Sequence, residues 1–210
     1  MKLLLFSDLH ADADAARRLL ALAAGADVLV GAGDFGNAHI NVGRCIEILR
    51  ACDKPAVFVP GNNETLEELR SACRNGPAAH VLHGTGAVVA GVPFFGLGGG
   101  VPVTPFGDWS YDFTEDEAMT LLEPCPPGCV LVSHSPPKGA ADVASPGKSL
   151  GSVAVRATVA SRRPVLVVCG HIHACAGQVE HIGATPVVNA GAHGVVWEIR
   201  TGQQGPETWT

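Results

Sequence analysis

The chain has 210 residues, 47% of them apolar and 16% charged, a composition that fits one packed domain with a sizeable core rather than a disordered chain. The formal net charge is −6 and no Lys/Arg cluster appears, so no nucleic-acid surface is indicated, although a single small phosphorylated ligand is compatible with this balance; no apolar run is long enough to span a membrane. Seven scattered cysteines, an odd number, fit a reduced cytoplasmic protein with buried thiols better than a disulfide scaffold.

In chain order, residues 2–7 form an apolar run that suits a strand buried on both faces, too short and too polar at its end for a signal peptide. Residues 11–24 have a helical pattern that Asp12 or Asp14 can cap, and residues 27–33 read as a second buried strand. A helix over 41–52, a strand over 56–59 and a helix over 65–73 continue the alternation, which predicts a parallel sheet with right-handed crossovers. The rhythm then breaks into short strands at 81–82, 87–91 and 93–97, followed by a Gly- and Pro-rich surface loop over 98–112 bearing Trp109 and Tyr111, with Phe113 just beyond. Thr114 and Glu117 make a capping box for the next helix. A strand over 129–133, an irregular loop over 135–149, a helix over 151–161 and a strand over 164–169 come next. The tail, at 177–182, 185–189 and 195–199, reads as antiparallel strands, and no linker divides the 210 residues into two domains.

Chemistry-bearing residues recur where these strands end. Asp8 and His10 follow the first, two apart, so that an extended segment points both to one side. Asp34, Asn62, His134 and the pair His171 and His173 follow four others. Open α/β sheets bind ligands at the carboxyl ends of their strands. Imidazoles, carboxylates and one amide form a donor set for a divalent transition metal, not for calcium or a thiolate site. Cys125 and Cys129 lack the second pair a zinc knuckle needs, and Cys175 near His173 reads as a bystander thiol.

Asp8-Leu9-His10, Gly33-Asp34, Gly61-Asn62-Asn63-Glu64, His134 and Gly170-His171-Ile172-His173 stand in the order of a known motif series. Together they resemble the calcineurin-like metallophosphoesterases, in particular the small prokaryotic phosphodiesterase-like members. The resemblance implies a four-layer α/β/β/α sandwich with two mixed sheets and a site for two divalent metal ions. By that analogy Asp8, His10, Asp34 and His173 hold one ion, while Asn62, His134 and His171 hold the second, with Asp34 bridging. It further implies hydrolysis of a phosphodiester, or less readily a phosphomonoester, of a small phosphorylated substrate by a metal-bridging hydroxide. Mn, Fe, Zn, Co and Ni all suit these donors. No residue pattern selects an oligomeric state.

One position departs from the series. Asn63 stands where most members have a His that handles a proton or steadies the transition state; an amide donates a hydrogen bond but delivers no proton near neutral pH. Phosphodiesters with good leaving groups are therefore the expected substrates. His39, five residues past Asp34, and His193, after the Asn189-Ala190-Gly191 run, are the candidate replacements. The alternative is a catalytically weak scaffold or binding module of the same fold, which the full set of seven ligand types argues against.

Overall fold

The apolar runs of the sequence become two sheets laid face to face. The computed structural model describes residues 1–74, 79–144 and 147–199. The first sheet contains β1 (Lys2–Phe6), β2 (Val28–Gly31), β3 (Ala56–Phe58) and β4 (Ala79–Val81), all parallel. Between them run α1 (Ala13–Ala23), α2 (Val42–Leu49) and α3 (Leu66–Cys73). The second sheet begins with the hairpin of β5 (Thr85–Val89) and β6 (Val92–Leu97). After α4 (Glu115–Leu122), β7 (Val130–Ser133) runs parallel to β6. The minor hairpin β8 (Val143–Ala144) and β9 (Lys148–Ser149) falls in the loop over 135–149, of which residues 145 and 146 are outside the described residues. Then come α5 (Val153–Arg162), β10 (Leu166–Cys169), β11 (Val179–Ile182), β12 (Thr185–Asn189) and β13 (Val195–Glu198). The strand orders are β13-β1-β2-β3-β4 and β11-β12-β10-β7-β6-β5.

The tail departs from the expected antiparallel run. β12 is antiparallel to β11 but parallel to β10, and β13 leaves that sheet to pair antiparallel with β1. Sequence periodicity marks a strand but not its partner, and the β1–β13 pairing closes nearly the whole chain.

Strand alternation distributes the core into three apolar layers. Leu3 and Leu5 of β1 point between the sheets with Val130, Val132, Leu166 and Val168, while Leu4 and Phe6 point outward onto α1 and α2 with Leu19, Cys45 and Leu49. On the far side, Leu131 and Val167 meet Ala118 and Leu122 of α4 and Val155 and Val159 of α5. Each fully buried Leu, Val or Phe of this kind is worth roughly 1.5–3 kcal/mol over an exposed one. The result is the expected α/β/β/α order.

The caps follow their sequence signals. Asp12, not Asp14, caps α1, accepting from the backbone of Asp14 and Ala15. The Thr114/Glu117 box starts α4, and Thr65 with Glu68 makes a second box at α3. Because β1, β2 and β3 are parallel, the loops after them leave one edge of the first sheet; β7 and β10 do the same for the second. The two edges meet where the His171 backbone N–H donates to the Asp8 carboxylate at 3.0 and 3.2 Å.

Candidate metal centre

At that junction the seven expected ligands converge from five loops. Asp8 is not on an extended segment, contrary to the alternation expected of it. β1 stops at Phe6, and Asp8 and His10 both adopt left-handed backbone, with φ of 57° and 45°. Asp34 and His171 do likewise, with φ of 57° and 66°. Such conformations are uncommon for residues other than glycine and collect at functional sites. Here the backbone hydrogen bonds of the neighbouring loop hold them: Asp8 N–H donates to the Gly33 carbonyl and His10 N–H to that of Asp34. Tight tertiary turns, rather than strand geometry, aim Asp8 and His10 at one place. Close approach also explains two glycines. A Cβ at Gly61 would collide with the Asp34 carboxylate, and one at Gly170 would strike the carboxylate of Asp8 and the side chain of Ser7.

Asp34 sits at the middle. Its Oδ2 lies 3.7 Å from His10 Nε2 and its Oδ1 lies 3.5 Å from His134 Nε2, so its two oxygens serve opposite halves of the cluster. On the outer half, His10 Nε2 and His173 Nε2 approach to 3.1 Å, and His173 Nε2 is 3.5 Å from Asp8 Oδ1. On the inner half, Asn62 Oδ1 lies 3.2 Å from His134 Nε2 and 3.1 Å from His171 Nδ1. The groups Asp8–His10–His173 and Asp8–Asp34–His134 each bring their donor atoms within 4.8 Å of one another.

The donor chemistry fits a cation. His134 Nδ1 donates to the Ala32 carbonyl at 2.7 Å, and a carbonyl can only accept, so that nitrogen carries the ring proton. A neutral His134 then turns a bare Nε2 lone pair toward the acceptor oxygens of Asn62 and Asp34. Acceptors converging in this way require a positive centre, either a proton or a metal ion. The electrostatics agree. Burial alone would lower the His134 pKa, but the Asp34 and Asp8 carboxylates outweigh it and raise it. Burial pushes His171 down to about 3, helped by His134, so its imidazole stays neutral and ready to ligate. Asp8 is held at about 2 although burial opposes this, because His173, His134 and the Ser7 hydroxyl favour the carboxylate.

Around the seven stands a supporting set, of which the sequence marks Asn63 as a catalytic candidate but gives Glu64 and Asn189 no role. Asn63 is buried and turned into the protein. Its backbone N–H donates to Asp34 Oδ1 at 2.9 Å, its Nδ2 donates to Asp34 Oδ2 at 2.7 Å, and its Oδ1 accepts from the Ala38 backbone at 2.9 Å. Glu64, fully buried, accepts from the backbones of Gly61 and Gly36 at 2.7 and 3.1 Å and so ties two ligand loops together. Burial and the Asp34 charge raise its pKa to about 7. Asn189 Nδ2 donates to the carbonyls of Gly170 and Ile172, both at 3.1 Å, fixing the loop of His171 and His173. The Gly-Asn-Asn-Glu run displayed Asn63 and Glu64, but only the folded loops show that both point away from solvent.

His39 and His193 are not brought to the ligand atoms by any hydrogen bond among the described residues. His39 donates from Nδ1 to Glu68 at 2.8 Å and from Nε2 to the Trp109 carbonyl at 2.5 Å, contacts that raise its pKa. His193 lies exposed in the turn before β13.

A profile of the calcineurin-like phosphoesterase superfamily domain matches residues 1–205. The chain belongs to that superfamily. Solved members share its fold. The crystal structure of TT1561 of Thermus thermophilus is 21% identical, covers 91% of this chain and 90% of its own, and superposes with a TM-score of 0.69. A dimetal phosphatase from Danio rerio is 13% identical over 90% and 86% of the two chains, with a TM-score of 0.59. Phosphopantetheinyl hydrolase from Mycobacterium tuberculosis is 15% identical over 90% and 88%, with a TM-score of 0.56. No curated protein sequence matched the chain. The candidate ligands of this chain lie beyond the strand ends where the two sheets meet.

Proposed function

We propose that this chain is a di-metal phosphoesterase acting on small phosphodiesters, with Asp8, His10, Asp34 and His173 holding one divalent transition metal and Asn62, His134 and His171, with Asp34 shared, holding the other. The observation that carries this reading is the placement of Asp34, whose two oxygens face imidazoles on opposite sides. A carboxylate there offsets the repulsion of two dications, and the Danio rerio relative is a dimetal phosphatase. Two such ions, when bound, neutralise phosphoryl oxygens and lower the pKa of water to near neutrality. As ligands the imidazoles of His134 and His171 would be neutral and add donors without cancelling that charge, and Asn62 would add an oxygen. Asn63 and Glu64 keep Asp34 and the Gly61 loop from shifting. The reading treats the chain as one domain, and its seven free thiols accord with the cytoplasm.

The leaving group gets no proton from the residues near Asp34. The Asn63 amide is committed to Asp34 and Ala38, and both His39 nitrogens already donate elsewhere. Diesters with acidic leaving groups are therefore favoured over monoesters. A leaving-group series on aryl methyl phosphates, run on protein loaded with Mn, tests this together with metal analysis. Two metals per chain and a steep fall in rate with leaving-group basicity are expected. Two bound metals without hydrolysis of any ester would make the chain a binding module, and a shallow slope would place a general acid in the site.

A further inference from the structure

The aromatic residues of the loop over 98–113 divide into two kinds. Tyr111 and Phe113 pack edge to face on each other and against His83, whose Nδ1 accepts from the Gly98 backbone; they anchor the loop. Phe106 and Trp109 do the opposite. They are 52% and 40% exposed, yet they stack on each other with centroids 5.8 Å apart and planes inclined by 18°. A stacked pair in solvent leaves outer ring faces open, and such faces bind planar aromatic groups.

This pair is held in register with the candidate ligands. Ser110, next to Trp109, accepts from Asn62 Nδ2 at 3.1 Å, and Tyr111 N–H donates to the Asn62 carbonyl at 3.0 Å. The Trp109 carbonyl is bound by His39. The loop is also fastened internally, because Asp112 accepts from Thr104 Oγ1 at 2.6 Å and from Ser110 Oγ at 2.9 Å. Trp109 is thus one residue, about 3.8 Å of backbone, from a side chain that touches an expected metal ligand.

We propose, on the reading given above, that Phe106 and Trp109 form a stacking subsite that selects phosphoesters bearing a planar aromatic group, of which a nucleobase is the biological form. Neither the loop over 98–113 nor the loop over 33–41 contains a Lys or Arg, so the occupant is a single nucleotide-sized ester rather than a polyanion, whose binding needs cations. Stacking one base on an aromatic side chain is worth about 5- to 150-fold in affinity.

The test compares AMP with ribose 5-phosphate, which share a phosphate and differ by the base. Calorimetry on the Mn-loaded protein should show AMP binding tighter by about 5- to 150-fold. Trp109→Ala should collapse that ratio toward one and Trp109→Phe should keep most of it. Phe106→Ala, at the more exposed ring, serves if Trp109→Ala fails to fold. Equal affinities, no binding of AMP, or a ratio unmoved by both alanine variants would overturn the subsite. Hydrolysis of methyl p-nitrophenyl phosphate is measured on the same preparation. Its absence would count against the phosphoesterase reading and leave the affinity ratio still readable.

Discussion

The two halves of the candidate metal centre are built differently. The inner half, His134 with Asn62 and Asp34, is almost wholly out of solvent, and its members are gripped by backbone and buried amides. The outer half leaves His173 with 63% of its side chain exposed and His10 with 29%. In the inner half the donors are fixed before any ligand arrives, and the packing around them contributes to folding. In the outer half His10 and His173 are accessible, and on the proposed reading they are where a metal would exchange and a substrate phosphate would enter. Asp34 joins the two, so a change there cannot be confined to either half.

The largest effect should therefore come from Asp34→Asn. It removes the shared charge and places an amide against the Asn63 amide that donates to it. Activity should fall by about 10³-fold or more, the scale of losing a group that acts on developing charge. Metal analysis should show both ions weakened, with circular dichroism unchanged. Near-normal turnover at full occupancy would remove Asp34 from its central place.

Replacing one imidazole from each half separates them. His134→Ala deletes a fully buried ring and strands the Ala32 carbonyl, so it should cost about 2–3 kcal/mol of stability as well as one metal. His173→Ala should also cost one metal but less than about 0.5 kcal/mol, as for an ordinary surface change. Urea melts of the metal-free proteins read this contrast. If both lose the same stability, the inner half is not the more structural of the two.

Much of this was legible in the sequence. The runs at Leu3 to Phe6 and Val130 to Val132 announce strands buried on both faces, and the motif residues after them can be read off in order. What was not legible depends on contacts far apart in the chain. β13 shows only a strand, not that β1 is its partner. Asp8 and His10 have the spacing of an extended pair, yet reach the site through left-handed turns held by Gly33 and Asp34. Asn63 looked like a substitute for a reactive His because its position in the motif is known from sequence. That its amide faces Asp34 and not substrate is a property of the loop.

That placement makes Asn63 a positioning residue for Asp34, with its amide on the oxygen that faces His10 and its backbone N–H on the oxygen that faces His134. Asn63→Ala should weaken metal binding about 10- to 100-fold, the usual size for losing an outer hydrogen bond to a ligand. Titration with Zn should resolve this, and excess Zn should restore activity. Unchanged affinity would mean that the backbone N–H of residue 63 suffices to hold Asp34.

The smallest effect concerns the strap joining the inner half to the aromatic loop. His39 donates from one nitrogen to Glu68 and from the other to the Trp109 carbonyl, which only the protonated ring can do at once. The Glu68 hydrogen bond and the Trp109 carbonyl raise the pKa of His39 above its ordinary 6.5, and Glu64 adds to this from further away. A raised folded pKa gives stability that is fully present below pH 6.5 and is lost as pH rises through the folded value. Burial pushes the Glu68 pKa up, but the contacts with His39 and Thr65 outweigh it and hold the carboxyl below its usual range, so its share is lost only in acid. The strap is therefore strongest between the two, near pH 6. Glu68 and His39 are both partly exposed, so solvent screening limits the effect to a few tenths of a kcal/mol, about the size of a surface ion pair. Stability of the native protein minus that of His39→Asn should be greatest near pH 6 and shrink by pH 9, with salt reducing it throughout. A difference that grows with pH would mean that the ring is neutral in the folded protein and holds only one of its two partners.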